Sequence, residues 1–375
     1  FYNCQNLTKV EIPTDSKLKT IGLYAFSNSN IQEIYFPSSL KELKEGWCYG
    51  TDKLTKITIS PSNDQFVFKE DKYLLGKTNN NNNNEFDILL FASRDIEEIL
   101  IPTNIKIIKS YAFENCKYLT KVEIPTNSNL QIIESYAFSK SNIKEIYIPP
   151  NVFKISKSTF SDCENLTKVE IPTDSKLQII EENAFSYSNI QEIYFPASLK
   201  ELKEGWFHGA DKLTKITISP SNDQFVFKED KYLLGKTNNN NNNEFDILLF
   251  ASRDIEEILI PTNIKIIKSY AFENCKYLTK VEIPTNSNLQ IIESYAFSKS
   301  NIKEIYIPPN VFKISKSTFS DCENLTKVEI PTDSKLQIIE PNAFSKSNIK
   351  EIFIPSNVTK ICRSAFFGCQ NLTKV

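Results

Sequence analysis

A seven-residue segment with a fixed pattern of apolar and polar positions recurs along the whole chain. In Leu7–Pro13 an apolar residue opens the segment, two more follow at alternating positions, and a proline ends it. Alternation with β-branched side chains is typical of a half-buried strand, and a proline ends the hydrogen-bond ladder because it has no N–H. We therefore predict one short strand at each occurrence.

The segments recur at intervals of 23 or 24 residues, apart from one longer interval of 42 residues in each block. Fifteen starts occur, and the pattern repeats after 159 residues. The sequence thus divides into a block at residues 4–162, a second copy at 163–321 and part of a third at 322–375. A period of 23 to 24 residues lies within the range of leucine-rich repeats, roughly 20–29 residues.

Each unit carries more apolar positions than its strand can hold. A second apolar pair follows the strand, such as Leu18 and Ile21, and then an Ala-Phe pair such as Ala112-Phe113. One unit cannot bury these residues alone, but stacked units turn each position into a continuous ladder of equivalent side chains. We predict that residues 1–375 form a single repeat solenoid, with a parallel β-sheet on its concave face and few helices.

One unit shows the motif in full, with the sequence IPSNVTKICRSAFFGCQNL at residues 354–372. It closely resembles the BspA-like leucine-rich repeat, whose pattern is loosely IPxxVxxIgxxAFxxCxxL, and the resemblance covers nearly the whole chain. Trp47-Cys48 and Trp206-Phe207 depart from the Ala-Phe pair. The resemblance implies a surface protein of a bacterium or parasitic protist that adheres to host matrix proteins or to other cells. A cell-surface or extracellular location and a protein or extracellular-matrix ligand follow from it.

The long interval places insertions at residues 61–95 and 220–254. In the first, two apolar runs at 65–77 and 85–91 flank six asparagines at 79–84. Two β-prone runs around a polar tract predict a β-hairpin, and the tract itself has no apolar surface to bury. The hairpin either extends a sheet edge or covers a flank, or else it projects as a contact element.

The strand position just before the first of the two alternating apolar residues is always charged, and its sign alternates from unit to unit. Parallel strands lie ~4.8 Å apart, so we expect each lysine to lie between two glutamates in a continuous ladder. Such a ladder sets register, and its nearly balanced charge does not attract nucleic acid. The column consists of Lys9, Glu33, Lys56, Glu98, Lys121, Glu145, Lys168, Glu192, Lys215, Glu257, Lys280, Glu304, Lys327, Glu351 and Lys374.

The next exposed column contains aromatic and aliphatic residues that a solenoid does not need there. Tyrosine is favoured at interfaces, and exposed apolar ladders can mark partner sites. Packing between neighbouring columns is the alternative. The candidate binding residues are Tyr35, Leu100, Tyr147, Tyr194, Leu259, Tyr306 and Phe353.

Composition limits the partners. With 44 basic and 46 acidic residues the net charge is −2, so no basic excess points to nucleic acid. No apolar run approaches ~18 residues, so no membrane span is expected. The chain has no Met and opens and closes within the same motif, as a piece of a longer array would. Open coil ends would then favour self-association.

We find no signature of catalysis. Six of the eight cysteines share one ladder position, and several lie two coils apart, ~10 Å from the strand spacing. A disulfide needs Cα atoms within about 7 Å, so we expect buried thiols. His208 is the only histidine and Tyr49 replaces it in the first copy. We therefore expect no enzymatic activity, no metal site and no cofactor. The main functional hypothesis is an adhesin, and the two alternatives are an intracellular interaction scaffold and a hydrolase.

Overall fold

A computed structural model describes residues 1–78, 85–237 and 244–375. They divide into two compact units. Unit 1 comprises Phe1–Ile190 and Pro196–Ala210, and unit 2 comprises Gln191–Phe195 and Asp211–Val375. The described residues contain only strands and turns, and no helix among them is long and apolar enough to cross a membrane.

Each coil contributes two short strands, which we call the first and the second strand. Strands are numbered in chain order. In unit 1 the first strands are β1 (Lys9–Val10), β3 (Glu33–Phe36), β5 (Lys56–Ile59), β9 (Glu98–Leu100), β11 (Lys121–Glu123), β13 (Glu145–Tyr147) and β15 (Lys168–Glu170). The second strands are β2 (Thr20–Ile21), β4 (Glu42–Leu43), β10 (Ile107–Ile108), β12 (Ile132–Ile133), β14 (Lys154–Ile155), β16 (Ile179–Ile180) and β18 (Glu201–Leu202).

Unit 2 has the same organisation. Its first strands are β17 (Glu192–Phe195), β19 (Lys215–Ile218), β23 (Glu257–Leu259), β25 (Lys280–Glu282), β27 (Glu304–Tyr306), β29 (Lys327–Glu329) and β31 (Glu351–Ile352). Its second strands are β24 (Ile266–Ile267), β26 (Ile291–Ile292), β28 (Lys313–Ile314), β30 (Ile338–Ile339) and β32 (Lys360–Ile361).

Successive coils pair in parallel and in register. In the first strands Lys9 faces Glu33 and Lys121 faces Glu98; in the second strands Ile107 faces Ile132. The predicted leucine-rich-repeat solenoid with a parallel sheet is therefore confirmed within each unit.

A ladder of stacked phenylalanines forms the centre of the core. In unit 1 the ring centroids of Phe113, Phe138, Phe160 and Phe185 are 4.7, 5.4 and 5.4 Å apart in succession, and all four side chains are fully buried. The phenylalanines of the Ala-Phe pairs, and Phe160 after Thr159, therefore fill the interior between the two sheets. In unit 2 the same ladder consists of Phe272, Phe297, Phe319, Phe344 and Phe366.

The turn around each Ala-Phe pair depends on two left-handed residues four positions apart. Around Phe113 they are Tyr111 (φ 65°) and Asn115 (φ 58°). This geometry lets the N–H groups of Phe113 and Asn115 donate to Ala137 and Ser139 of the next coil, at 2.7 and 2.8 Å. A third coil-to-coil ladder results, at a cost of roughly 1 kcal/mol for each non-glycine residue held in this region.

Each insertion contains the expected hairpin and one strand more. In unit 1 the inserted strands are β6 (Phe66–Lys69), β7 (Tyr73–Gly76) and β8 (Ile88–Ala92); in unit 2 they are β20 (Phe225–Lys228), β21 (Tyr232–Gly235) and β22 (Ile247–Ala251). β6, β7 and β8 pair antiparallel, and β8 joins β10 in parallel. The insertion thus extends a sheet, as one of the two sequence hypotheses stated.

A tight turn explains the additional strand. Glu70 and Asp71 both have positive φ, 54° and 51°, as the central residues of a type I′ turn require, and Lys72 N donates to Lys69 O at 2.8 Å. The first apolar run therefore folds back on itself before the asparagine tract. The tracts at 79–84 and 238–243, where the sequence places the hairpin tip, lie outside the described residues.

The base of the first asparagine tract is held by a buried carboxylate. Asp87 is 1% exposed and accepts hydrogen bonds from Thr78 N at 2.9 Å, Thr78 Oγ1 at 3.0 Å and Lys106 Nζ at 3.1 Å. Burial alone raises the pKa of Asp87, but these hydrogen bonds together outweigh it and lower that pKa. Asp246 repeats the arrangement in unit 2.

Candidate binding surface

The charged column lies on the exposed face of the first strands, in the predicted register. Three cross-strand ion pairs follow the prediction: Lys56–Glu33 at 3.8 Å, Lys215–Glu192 at 3.4 Å and Lys374–Glu351 at 3.6 Å. The column therefore has the expected positions, but these pairs alone do not make a continuous ladder.

Other lysines of the column pair within their own strand, which corrects the prediction of a continuous ladder. Lys121 contacts Glu123 at 3.4 Å, and Lys280 contacts Glu282 at 3.3 Å. A glutamate two residues on lies on the same face and needs no neighbouring strand. Where threonine replaces that glutamate, at Thr58 and Thr217, the lysine of the same strand pairs instead with a glutamate of the neighbouring strand. The remaining own-strand pairs are Lys9–Glu11, Lys168–Glu170 and Lys327–Glu329.

The seven candidate residues form two exposure classes. Leu100, Leu259 and Phe353 are 57%, 56% and 50% exposed. Side chains packed against neighbouring members of a ladder would be much less exposed. The four tyrosines are half-buried. They are Tyr35, Tyr147, Tyr194 and Tyr306.

Polar residues separate the members of this column. In the register of the paired strands Leu100 faces Glu123, and Tyr194 faces Thr217. Consecutive apolar members of the column within a unit are thus at least two strand spacings apart, ~9.6 Å. The column is a series of separate apolar contacts flanked by charge and contains no continuous apolar stripe.

Two of the tyrosines have phenol groups that remain protonated over a wide pH range. Burial raises the pKa of Tyr147, and the carboxylates of Asp174 and Glu170 raise it further. Tyr306 has the same surroundings in unit 2, with Asp333 and Glu329. Each phenol can therefore donate a hydrogen bond to a partner beside an apolar ring.

Two of the candidate residues line one groove. Tyr306 and Phe353 are walls of a surface groove of about 570 Å³ in unit 2. Its rim carries four charged side chains of the alternating column and of the neighbouring position. They are Lys327, Glu329, Glu351 and Lys374. The other five candidate residues lie outside this groove.

Sequence reasoning missed an apolar stripe on the second strands. Ile107, Ile132 and Ile179 open their strands, point outward and are half-buried, and Phe153 beside them is 40% exposed. The signal was present in Ile-Ile doublets such as 107–108, since successive strand residues face opposite sides. The unit 2 equivalents are Ile266, Ile291, Ile338 and Phe312.

The cysteine ladder is a packing element. Cys116, Cys163, Cys275 and Cys322 are buried free thiols, as expected, whereas Cys4 is exposed. The thiol of Cys163 lies 3.5 Å from Ser141 Oγ of the preceding coil. Burial raises the pKa of Cys163 to about 12, so its thiol is not a nucleophile at neutral pH.

A buried arginine in the inserted coil was also missed. Arg94 lies over the Phe91 ring at 4.7 Å and donates to the carbonyl oxygens of Ala112 and Tyr111 at 3.2 and 3.4 Å. Its guanidinium closes the core where the insertion replaces an Ala-Phe turn. Arg253 has the same role in unit 2.

The described residues contain no group of three or more His, Cys, Asp or Glu that could hold a metal ion. His208 Nε2 lies 2.9 Å from the hydroxyl of Tyr187 on a half-exposed turn. The exposed face of the first strands presents apolar residues, phenols and paired charges.

Comparison with known proteins identifies the repeat type. A family model for the BspA type leucine rich repeat region matches residues 1–120, 84–214 and 243–373. No protein of curated function matches the sequence. A leucine rich cell surface protein of Faecalibacterium prausnitzii has a similar structure, with a TM-score of 0.67 and 23% identity over 95% of this chain and 82% of that chain.

Two further solved structures share the fold. The pneumococcal vaccine antigen PcpA has a TM-score of 0.58 and 20% identity over 83% of this chain and 80% of its own. A leucine-rich repeat protein of Eubacterium ventriosum has a TM-score of 0.52 and 19% identity over 81% of this chain and 94% of its own. With its repeat motif, its stacked coils and a family model that matches most of its length, the chain belongs to the BspA-type leucine-rich repeat family.

Proposed function

We propose that this chain is a protein-binding scaffold of a cell-surface protein, and that the exposed face of its first strands contacts a host or cell-surface protein. The observation that carries this proposal is the exposure of Leu100 in unit 1 and of Leu259 and Phe353 in unit 2, on or directly after the paired first strands. The fold gains nothing from large apolar side chains in water at these positions. A partner that covers them would gain the free energy of apolar burial.

The surroundings of these residues favour a protein partner. Lysines and glutamates alternate beside the apolar column, so the face has little net charge and does not attract polyanions. Apolar anchors within a polar rim are typical of protein interfaces. Tyr306 and Phe353, which line one groove with charged residues at its rim, are the best placed anchors.

The proposed location rests on similarity. One structural neighbour is described as a cell surface protein, and the family resemblance implies adhesion to host matrix or to other cells. A second candidate is an intracellular interaction scaffold, which the eight free cysteines favour because thiols persist in reducing compartments. Labelling of intact source cells with an antibody against this chain separates the two: surface labelling supports the first, and labelling only after permeabilisation supports the second.

The binding face can be tested with the full chain. The triple variant Leu259→Ser, Tyr306→Ser, Phe353→Ser removes the apolar anchors of unit 2. Binding to immobilised laminin, fibronectin and fibrinogen and to cultured cells is compared by surface plasmon resonance and flow cytometry. We expect at least a tenfold loss of affinity, since each anchor contributes about 1 kcal/mol or more. The control is Tyr118→Ser, which changes an exposed aromatic residue outside the column.

Circular dichroism checks that the variants keep the fold. A triple variant that retains the wild-type fold and the wild-type affinity would exclude the unit 2 face as the contact surface. Equal losses in the triple variant and in the control would show a general effect of exposed aromatic residues.

A further inference from the structure

Three tyrosines lie close together on the turns of unit 1, and we call them the tyrosine cluster. They are Tyr24, Tyr49 and Tyr111. The ring centroid of Tyr24 lies 6.3 Å from that of Tyr49 and 6.5 Å from that of Tyr111, and the other two centroids are 5.0 Å apart. The angles between the ring planes are 84°, 69° and 63°, so the three rings face in different directions.

The turn itself does not require tyrosine at these positions. Tyr24 and Tyr111 have φ values of 52° and 65°, in a left-handed region that bulky side chains rarely adopt. Gly46 has this position in the intervening coil, and Asn183 replaces Tyr24 in the second copy, with φ values of 62° and 55°. Glycine and asparagine adopt this conformation at lower cost. The tyrosines therefore bring a conformational cost that their rings must offset.

The cluster is open to solvent on one side. Tyr24 is 38% exposed and Tyr49 is half-buried, whereas Tyr111 is buried beneath them. A cation is attracted to an aromatic ring from within about 6 Å of its centroid. Because no two centroids are more than 6.5 Å apart, one cation can lie within that distance of all three rings. Within residues 1–78 and 85–237, no lysine or arginine lies over any of them.

The charge beside the cluster is negative. Tyr24 N donates to Glu45 O at 3.4 Å, which places Glu45 next to the rings. The neighbouring lysines, Lys44 and Lys109, each pair with another glutamate, at 2.5 and 2.7 Å. In the part of the chain that the structure describes, Glu45 itself makes no ion pair. Burial raises the pKa of Tyr111, and Tyr24 and the Glu45 carboxylate raise it further, so the phenol stays neutral and Glu45 is the charge left to complement.

Tyrosines of the same turn position already bind a cation in unit 2. There Lys316 Nζ lies 5.7 Å from the ring centroid of Tyr295. The Tyr295 ring stacks on Tyr270 at 5.3 Å, and Tyr270 is the second-copy equivalent of Tyr111. The rings on these turns are therefore accessible to a positively charged side chain.

We propose that the tyrosine cluster binds the guanidinium group of an arginine side chain of a partner protein, with Glu45 as the counter-ion. A planar guanidinium stacks on an aromatic face, and its fork of N–H groups matches a carboxylate. A lysine ammonium is more strongly hydrated and does not stack, so it fits this arrangement less well. The site lies on the turns, apart from the first-strand face, and does not depend on the function proposed for that face.

The probe is the pentapeptide Gly-Ser-Arg-Ser-Gly with blocked termini, and saturation-transfer NMR measures its affinity for the full chain. A second peptide carries citrulline in place of arginine, which keeps the shape of the side chain but removes its charge. A third peptide carries lysine. We expect the arginine peptide to bind at least tenfold more tightly than the citrulline peptide and at least threefold more tightly than the lysine peptide.

Variants of the full chain locate the site. The double variant Tyr24→Asn, Tyr49→His has the residues that the second copy carries at these positions, so the fold accommodates them, and it should bind the arginine peptide at least tenfold more weakly. Glu45→Gln removes only the charge and should weaken binding at least threefold. Tyr24→Phe keeps the ring and should bind within twofold of wild type. Tyr118→Ser, which changes an exposed aromatic residue elsewhere, is the matched control and should bind like wild type.

The proposal is overturned if the citrulline peptide binds as tightly as the arginine peptide, or if the folded double variant or Glu45→Gln binds like wild type. Equal affinities for the arginine and lysine peptides would overturn the assignment to arginine. An equal loss of binding in Tyr118→Ser would show that arginine binds exposed aromatic residues in general. No binding of any peptide would equally overturn the proposal, and would mean that the three rings only pack against one another.

Discussion

The phenylalanine ladder predicts a large and local loss of stability when one ring is removed. Phe160 is fully buried between Phe138 and Phe185, with ring centroids 5.4 Å away on both sides. The substitution Phe160→Ala leaves a cavity that the neighbouring coils cannot fill, because strand pairing and the adjacent turns fix their spacing. Both stacking contacts are lost together.

The magnitude follows from these contacts. A buried Phe→Ala change costs about 3–5 kcal/mol, and two aromatic contacts at about 0.5–1.5 kcal/mol each place Phe160 in the upper half of that range. We therefore expect a loss of about 4 kcal/mol in the free energy of unfolding. Phe160→Leu keeps most of the volume and should cost less than about 1.5 kcal/mol.

Tryptophan fluorescence during urea unfolding is a suitable assay, since Trp47 and Trp206 are buried and both lie in unit 1. With a denaturant slope of about 2.5 kcal/mol/M, Phe160→Ala should lower the midpoint by about 1.5 M. Phe153→Ala, at a partly exposed position, is the control and should cost about 1 kcal/mol. If Phe160→Ala lowers the midpoint no more than this control does, the stacked rings are not the centre of the core.

Three further predictions test other contacts. Asp246→Asn should lower stability at pH 7 by about 1 kcal/mol, because the folded-state pKa of Asp246 is lowered. The stability difference from wild type should shrink below pH 4 and vanish once the carboxylate is protonated in both the folded and the unfolded state. Thermal unfolding from pH 2 to 7 measures this difference. A thiol reagent should label Cys4 in the native chain but reach Cys322, whose pKa burial raises to about 12, only in denaturant; fast native labelling of Cys322 would contradict its burial. Lys215→Ala, which removes an exposed pair with Glu192, should change stability by less than about 1 kcal/mol, and a larger loss in urea unfolding would show that the charged column stabilises the coils.

Several features of the fold could be predicted from the sequence because each depends on equivalent positions in successive coils. Parallel stacking makes every repeat position a ladder, so the burial of Phe160 or Cys163 follows once the period is known. The positions of the Lys/Glu column follow for the same reason. Leu100 and Phe353 are exposed because alternation directs their side chains away from the core.

Other features depend on what lies beside a residue in three dimensions, and the period does not contain this information. Whether Lys121 pairs with Glu123 or with Glu98 is decided by which carboxylate its flexible side chain reaches. The turn at Glu70 and Asp71 adds a strand because two residues without the usual glycine adopt positive φ under tertiary constraint. The repeat period therefore determined the ladders and their faces. Only the tertiary structure decided where they break: β4 pairs with β2 alone, at the point where Asn63 Oδ1 accepts from the N–H groups of Gln65 and Phe66 and β6 pairs with β7.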